Sequence, residues 1–136
     1  MQTTPVVITL DADGTLGFGG HTLTGKHKSG DFEAGGDIYR VKTEEPITRL
    51  EKNGRLLFES VPCSTVRGFS LSDKACAFSL AGLRSTQITM ELEPEADYDI
   101  VIDGVSAGVS RSNIASKLNF SVELSDTPKT IKITRL

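Results

Sequence analysis

The sequence contains no tryptophan, only two tyrosines and six phenylalanines among its 136 residues. A platform of aromatic rings for stacking sugars or nucleobases would therefore have few members. Basic residues number 15 against 18 acidic ones, which argues against nucleic acid as a partner because nucleic-acid-binding domains are usually basic. No apolar run approaches the roughly 18 residues of a membrane-spanning helix. The composition therefore predicts neither a nucleic-acid nor a membrane partner.

Cysteine and histidine are also scarce, with two residues of each type. In a reducing compartment, we expect Cys63 and Cys76 to be free, buried thiols. Residues 1–5 lack a basic region followed by a long apolar one, so they do not resemble a signal peptide. The sequence as written therefore indicates a cytoplasmic protein, and an exported domain that has lost its signal is the alternative.

Alternation of apolar and polar residues with period two dominates the sequence, as expected of half-buried strands. The alternation is clearest in residues 87–92, 98–103 and 118–124. Two dipeptides favour tight hairpins, Asn53-Gly54 and Asp103-Gly104. Both central residues of a type I′ turn need positive φ, which these residue types tolerate. We predict an all-β domain over residues 1–136, an antiparallel β-sandwich or flattened barrel of roughly nine or ten short strands.

Two parts of this pattern leave alternatives open. Residues 37–41, followed by 53–58, resemble residues 97–101, followed by 116–120, which suggests two similar β-meander halves packed face to face. Residues 72–82 fit either a strand or a short helix that begins after Ser72 and ends before Gly82. The strand is favoured, because the neighbouring elements are strands and an isolated short helix is marginal in water.

Residues 14–36 depart from the strand pattern, since they contain eight glycines and few apolar residues. We expect a glycine-rich loop or loose hairpin, and loops of this length in a compact domain are often functional. His21, Lys26 and His27 lie in this stretch and are candidate ligand-binding residues, because backbone N–H groups and lysine suit an anion. Two histidines do not provide the ligand set of a zinc site, so we expect no metal and no cofactor.

Residues 6–16 join an apolar strand to the motif Asp-x-Asp-Gly-Thr. This stretch resembles the first motif of haloacid-dehalogenase-type phosphatases. The resemblance implies that Asp11 is the phosphorylated nucleophile and Asp13 the general acid/base, on a doubly wound parallel sheet. The glycines that follow oppose the helix such a sheet requires, since each costs roughly 1 kcal/mol in a helix relative to alanine. Asp-x-Asp-Gly also resembles the start of an EF-hand calcium loop, and it is favourable turn chemistry.

Residues 98–108 contain a strand, Asp-Gly and a second short strand with glycine, and resemble small accessory β-domains of bacterial surface proteins. The sequence shows no convergent set of titratable groups. We therefore predict a protein without enzymatic activity that acts in binding or assembly, its exposed strand edges taking a protein partner or a second copy. A carbohydrate- or small-ligand-binding module is one alternative, and a phosphatase is another. The candidate ligand-binding residues are Asp11, Asp13, His21, Lys26 and His27.

Overall fold

The computed structural model describes residues 6–136, in which every regular element is a β-strand. Residues 1–5, on which the expectation of a cytoplasmic location rests, lie outside the described part. The strands are β1 (Ile8–Leu10), β2 (Leu16–Gly19), β3 (His27–Lys28), β4 (Phe32–Ala34), β5 (Asp37–Glu44), β6 (Ile47–Lys52), β7 (Arg55–Val61), β8 (Ser64–Leu71), β9 (Ala75–Gly82), β10 (Thr86–Glu91), β11 (Asp97–Ile102), β12 (Val105–Arg111), β13 (Lys117–Val122) and β14 (Lys129–Arg135). The all-β prediction is confirmed, with fourteen described strands rather than nine or ten. Within residues 6–136, no helix has the length and apolar character that crossing a membrane requires.

The strands form two antiparallel sheets that pack face to face around one core. The first sheet has the order β1-β2-β8-β9-β14-β11-β12. The second has the order β13-β10-β7-β6-β5-β3, and β4 pairs with β5 beside β3. Neither sheet closes on itself, so the fold is a β-sandwich and not a barrel.

The two sheets do not correspond to two halves of the chain. Strands β5 and β7 share the second sheet, whereas β11 and β13, the strands that resemble them in sequence, lie in different sheets. The similar meander halves suggested by the sequence are therefore not found. The strands that are similar in sequence have different pairing partners, because the chain crosses from the first sheet to the second after β12.

Both hairpin dipeptides form the predicted turns. Asn53 and Gly54 have φ values of 52° and 80°, and Asp103 and Gly104 have values of 50° and 79°. In each hairpin the flanking residues pair directly, so the loop contains only the dipeptide. The ambiguous segment is strand β9, as favoured, and it buries alternate side chains.

Four phenylalanines form the centre of the core. Phe18 and Phe69 come from the first sheet and Phe58 from the second. The ring centroids of Phe18 and Phe58 lie 5.2 Å apart, and those of Phe58 and Phe78 lie 5.8 Å apart, in edge-on contacts. Such contacts join the two sheets across their interface. The few aromatic rings of this chain are thus used mainly for packing and not for an exposed stacking platform.

The glycine-rich stretch is a loop only in part, because residues 14–36 contain β2, β3 and β4. Strand β2 is wholly buried between β1 and β8. Gly19 has a φ of 83°, and its Cα lies so close to the carbonyl oxygen of Ser64 that a Cβ would clash with it. Glycine is needed here for close packing, so its presence did not indicate a loop.

Candidate functional site

The aspartate turn joins β1 to β2, and its polar groups bind one another. The carbonyl of Asp11 accepts a hydrogen bond from the amide of Gly14, 3.0 Å away. The amide and the hydroxyl of Thr15 donate to Oδ1 of Asp13 at 3.0 and 2.6 Å. These bonds, the hydroxyl bond above all, lower the pKa of the Asp13 carboxyl. Both carboxylates are exposed, and the turn is held by its own hydrogen bonds.

The aspartate turn lacks the setting of the families it resembles. All the strand pairs of the described chain are antiparallel, whereas the phosphatase resemblance implied a parallel sheet. In residues 6–136, no three His, Cys, Asp or Glu side chains are grouped to hold a metal ion. The ligand-binding role of Asp11 and Asp13 stays a prediction.

His21 connects three segments of the chain. Its Nδ1 lies 2.7 Å from the hydroxyl oxygen of Thr65 on β8, and its backbone amide donates to the same oxygen at 3.0 Å. Its Nε2 lies 2.7 Å from Oδ1 of Asp126, in the connection between β13 and β14. The Thr65 hydroxyl is engaged by two nitrogen atoms of the same residue, so we interpret the arrangement as a clasp that fixes the exit of β2.

Lys26 directly precedes β3 and His27 begins it, at the edge of the second sheet. Lys26 is exposed, and Nε2 of His27 donates to the carbonyl of Thr24 at 2.8 Å. No hydrogen bond or ion pair within the described chain joins either residue to His21 or to the aspartate turn. The structure therefore distributes the five candidate residues over three local arrangements, and their role in binding stays a prediction.

Both cysteines are free and buried, as expected. Burial is the main cause that raises the pKa of each thiol, and for Cys76 it raises the value to about 12. A thiol in this state is a poor nucleophile because the reactive thiolate is suppressed. Cys63 and Cys76 therefore behave as core side chains.

The two flanks of the sandwich, where the sheets have their edge strands, differ strongly in the length of those strands. At one flank the edges are β1, β3 and β4, which have three, two and three residues. At the other flank the edges are β12 and β13, with seven and six residues. Very short edge strands protect a sheet against pairing with another chain, whereas long edges permit it. We call the surface formed by β12, β13 and the connecting residues 112–116 the open flank.

Large apolar side chains are exposed on the open flank. Val105 and Val109 of β12 are 69% and 59% exposed, and Ile114 in the connection to β13 is 83% exposed. All residues of β12 except Ser110 are exposed, and Arg111 is its only charged residue. Exposed apolar groups on a strand with one unpaired edge indicate an interaction surface.

Strands β12 and β13 offer different groups to a partner. A β-bulge at Gly108, which has a φ of 100°, interrupts the pairing of β12 with β11. Strand β13 pairs with β10 in unbroken register from Lys117 to Val122. The amide of Leu92 donates to the carbonyl of Ser116, and every second residue from Ser116 directs its backbone groups at β10. The backbone groups of Asn119 and Ser121, at the alternate positions, therefore point to the free side of β13.

The sequence predicts exposed strand edges but not which strands form them. Edge and interior strands show the same alternation, so only the pairing order separates β13 from β10.

No protein-family model matches this chain, and comparison with curated proteins and with solved structures finds no significant match.

Proposed function

We propose that this chain is a non-catalytic assembly domain whose copies bind one another through the open flank. The contrast between the flanks carries the proposal. Only the open flank ends in strands of six and seven residues, and three of its large apolar side chains are more than half exposed. An unpaired edge is complementary to another extended strand, because each presents alternating N–H and C=O groups.

A second copy is a suitable partner because β13 is complementary to itself. In an antiparallel pair centred on Phe120, Lys117 of one copy faces Glu123 of the other, on the outer face. Asn119 then faces Ser121 on the same face, with the free backbone groups of both residues directed at each other. Lys117 already binds Glu91 of its own copy at 2.6 Å, so Glu123 of the partner extends this ion pair into a network, and a two-fold axis produces each contact twice.

The same axis places β12 of one copy beside β12 of the other. Val105 and Val109 then leave water, which stabilises the dimer through the hydrophobic effect. The bulge at Gly108 limits backbone pairing along this strand. Strand β13 therefore contributes the hydrogen bonds of the interface, and β12 contributes mainly apolar contacts.

The reactive side chains make contacts within the fold, which supports a binding role over a catalytic one. His21 is held by Thr65 and Asp126, and the Asp13 carboxylate is held by Thr15. The two thiols are buried with raised pKa values. These groups are committed to contacts within the fold.

Sedimentation velocity from low micromolar to near-millimolar protein tests the proposal. We expect a reversible dimer of the 14.6 kDa chain. Val109→Lys places two cations at the interface and should weaken the dimer at least about tenfold. Asn119→Pro removes an N–H donor from the free edge of β13 and should also weaken it. The matched control is Val6→Lys, which changes a valine that is 74% exposed and precedes β1 on the opposite flank.

Circular dichroism and thermal melting establish that each variant is folded before the masses are compared. Monomer across the whole concentration range overturns the proposal. So does a dimer that Val109→Lys and Asn119→Pro leave unchanged, because its interface would then be a different surface.

A further inference from the structure

A hollow of about 250 Å³ lies on the outer face of the second sheet, beside the connection between β3 and β4. Four of its lining residues are basic, Lys28, Arg40, Lys42 and Arg49, and one is acidic, Glu51. The whole chain, in contrast, has more acidic than basic residues. The hollow is therefore a local concentration of positive charge on an acidic protein.

Strand alternation directs these basic side chains away from the core. On β5, the buried residue Val41 lies between Arg40 and Lys42, and on β6 Arg49 lies between two buried residues. Lys28 of β3 is the direct antiparallel partner of Lys42 and so shares its face. All four side chains are therefore accessible to a ligand on the outer face.

Three of the four cations form a row across neighbouring strands. Lys28 lies directly opposite Lys42, and Lys42 lies directly opposite Arg49 on β6. Like charges in directly opposite positions destabilise a sheet. In the described chain, the other directly opposite charges of this outer face differ in sign, in the pairs Arg40–Glu51, Arg49–Glu59 and Glu91–Lys117. Both like-charge contacts involve Lys42, and a local departure from the pairing rule is typical of a functional position.

Carboxylates beside the row neutralise it only in part. Glu59 accepts hydrogen bonds from Nε and Nη2 of Arg49 at 2.9 and 2.7 Å, so Nη1 is not part of this contact. Nζ of Lys42 lies 3.4 Å from Oε1 of Glu44, and Lys28 makes no ion pair within residues 6–136. The side chains of Lys42 and Arg49 are 38% and 44% exposed, and solvent weakens such ion pairs. The row therefore keeps donors that an anion can bind.

We propose that the hollow binds a doubly charged tetrahedral oxyanion, a phosphate or sulfate group, between Lys28, Lys42 and Arg49. Three terminal oxygens of such a group can accept from three separate donors, whereas a carboxylate offers two oxygens. Arg40 is bound to Asp31 and is not assigned to the site. The site lies at the β3 edge of the second sheet, whereas β13 forms the opposite edge, so its occupancy is independent of the proposed dimer.

Inorganic phosphate at about pH 8 and constant ionic strength is the first probe, and phenyl phosphate is the second. Two-dimensional NMR titration should show saturable shifts at the residues that line the hollow, in the millimolar range. Tighter binding of phenyl phosphate identifies a phosphate group carried by an organic molecule as the ligand. Equal or tighter binding of inorganic phosphate identifies the free oxyanion. Sodium chloride at the same ionic strength is the reference and should produce no saturable shifts, because it only screens charge.

Lys42→Gln removes the cation that both like-charge contacts share. It should weaken phosphate binding at least about fivefold, and in chloride it should raise the melting temperature because the repulsion is lost. Lys28→Gln should also weaken binding, by at least about threefold. The matched control is Lys132→Gln, on the outer face of the first sheet, where the direct partners are Ala77 and Val101. This control should change binding less than about twofold.

Four outcomes of the titrations overturn the proposal: no saturable shifts with millimolar phosphate, the same shifts with chloride, binding unaffected by Lys42→Gln, or an equal loss for Lys132→Gln. A lower melting temperature of Lys42→Gln in chloride also overturns it, because the row would then stabilise the sheet without an anion.

Discussion

His21 and Thr65 are 44 residues apart in sequence, yet the imidazole Nδ1 and the backbone amide of His21 both contact the hydroxyl oxygen of Thr65. The contact fixes the chain leaving β2 against β8, at the point where the glycine-rich stretch becomes irregular. The second partner of the imidazole, Asp126, has a side chain that is 90% exposed, so solvent weakens its contribution. The Thr65 contact is therefore the stronger part of the clasp.

Substitution of His21 by alanine is expected to destabilise the fold by about 1–3 kcal/mol, because the Thr65 hydroxyl loses its side-chain partner. Urea denaturation measures the change. His27→Ala is the control, since His27 makes one exposed contact with the carbonyl of Thr24, and its effect should stay within about 0.5 kcal/mol. Equal losses for the two variants would contradict the clasp.

The close packing of Gly19 predicts a strong position dependence for Gly→Ala substitutions. Gly25 has a φ of 80° with open space around its Cα, so Gly25→Ala should cost about 1 kcal/mol from backbone strain alone. Gly19 has a φ of 83° and would add a clash with the Ser64 carbonyl and the Thr48 methyl group. Gly19→Ala should therefore cost at least about 3 kcal/mol. Thermal unfolding of the two variants, which have nearly the same φ, separates the clash from the strain.

A buried hydroxyl network ties β5, β6 and β8 together near Gly19. The Thr48 hydroxyl lies 2.7 Å from the Thr43 hydroxyl and accepts a hydrogen bond from the amide of Ser64 at 3.1 Å. Thr48→Val keeps the shape but leaves both groups without this partner, and should cost about 1–3 kcal/mol in urea denaturation. Thr89→Val, on the outer face of β10, should change stability by less than about 0.5 kcal/mol because water replaces its bond to Asn119. A neutral Thr48→Val would show that the network does not stabilise the fold.

The Cys76 thiol predicts a loss of stability at alkaline pH. Burial raises its pKa from 9.0 to about 12 in the folded protein. Between these values the unfolded chain releases a proton that the folded chain retains, so the free energy of unfolding falls as pH rises. The contribution approaches about 1.4 kcal/mol per pH unit within that window. Urea denaturation of the wild type and Cys76→Ala from pH 8 to about 10.5 should show a shallower decline in the variant. Parallel declines in the free energy of unfolding of the two proteins would contradict the assignment of this pH dependence to Cys76.

Local sequence patterns predicted the parts of the fold that local physics determines. The turns at Asn53-Gly54 and Asp103-Gly104 formed because those residue pairs tolerate positive φ wherever they occur. Strand β2 was missed because its glycines indicated a loop. A Cβ on Gly19 would clash with the carbonyl oxygen of Ser64, a residue from a distant part of the chain. The need for glycine there depends on tertiary neighbours, which local patterns do not contain.

Local sequence patterns were equally unable to locate the candidate site, because they do not contain tertiary neighbours. Rare and reactive residue types in the sequence indicated the candidate residues, and the structure shows that His21 and Asp13 make contacts within the fold. Strand β13 has no distinctive residue type, since residues 117–122 alternate as regularly as residues 86–91. Whether such a strand lies at an edge is decided by pairing order, which depends on the whole chain.

The position of β14 constrains how the protein folds during synthesis. It lies between β9 and β11, and its side chains Ile131 and Ile133 are fully buried in the first sheet. All thirteen other described strands precede it in the sequence. The first sheet therefore remains split in two until β14 has left the ribosome, with the inner edges of β9 and β11 unpaired. Stable folding of this domain must await the synthesis of β14, and those two edges need protection from wrong pairing until then.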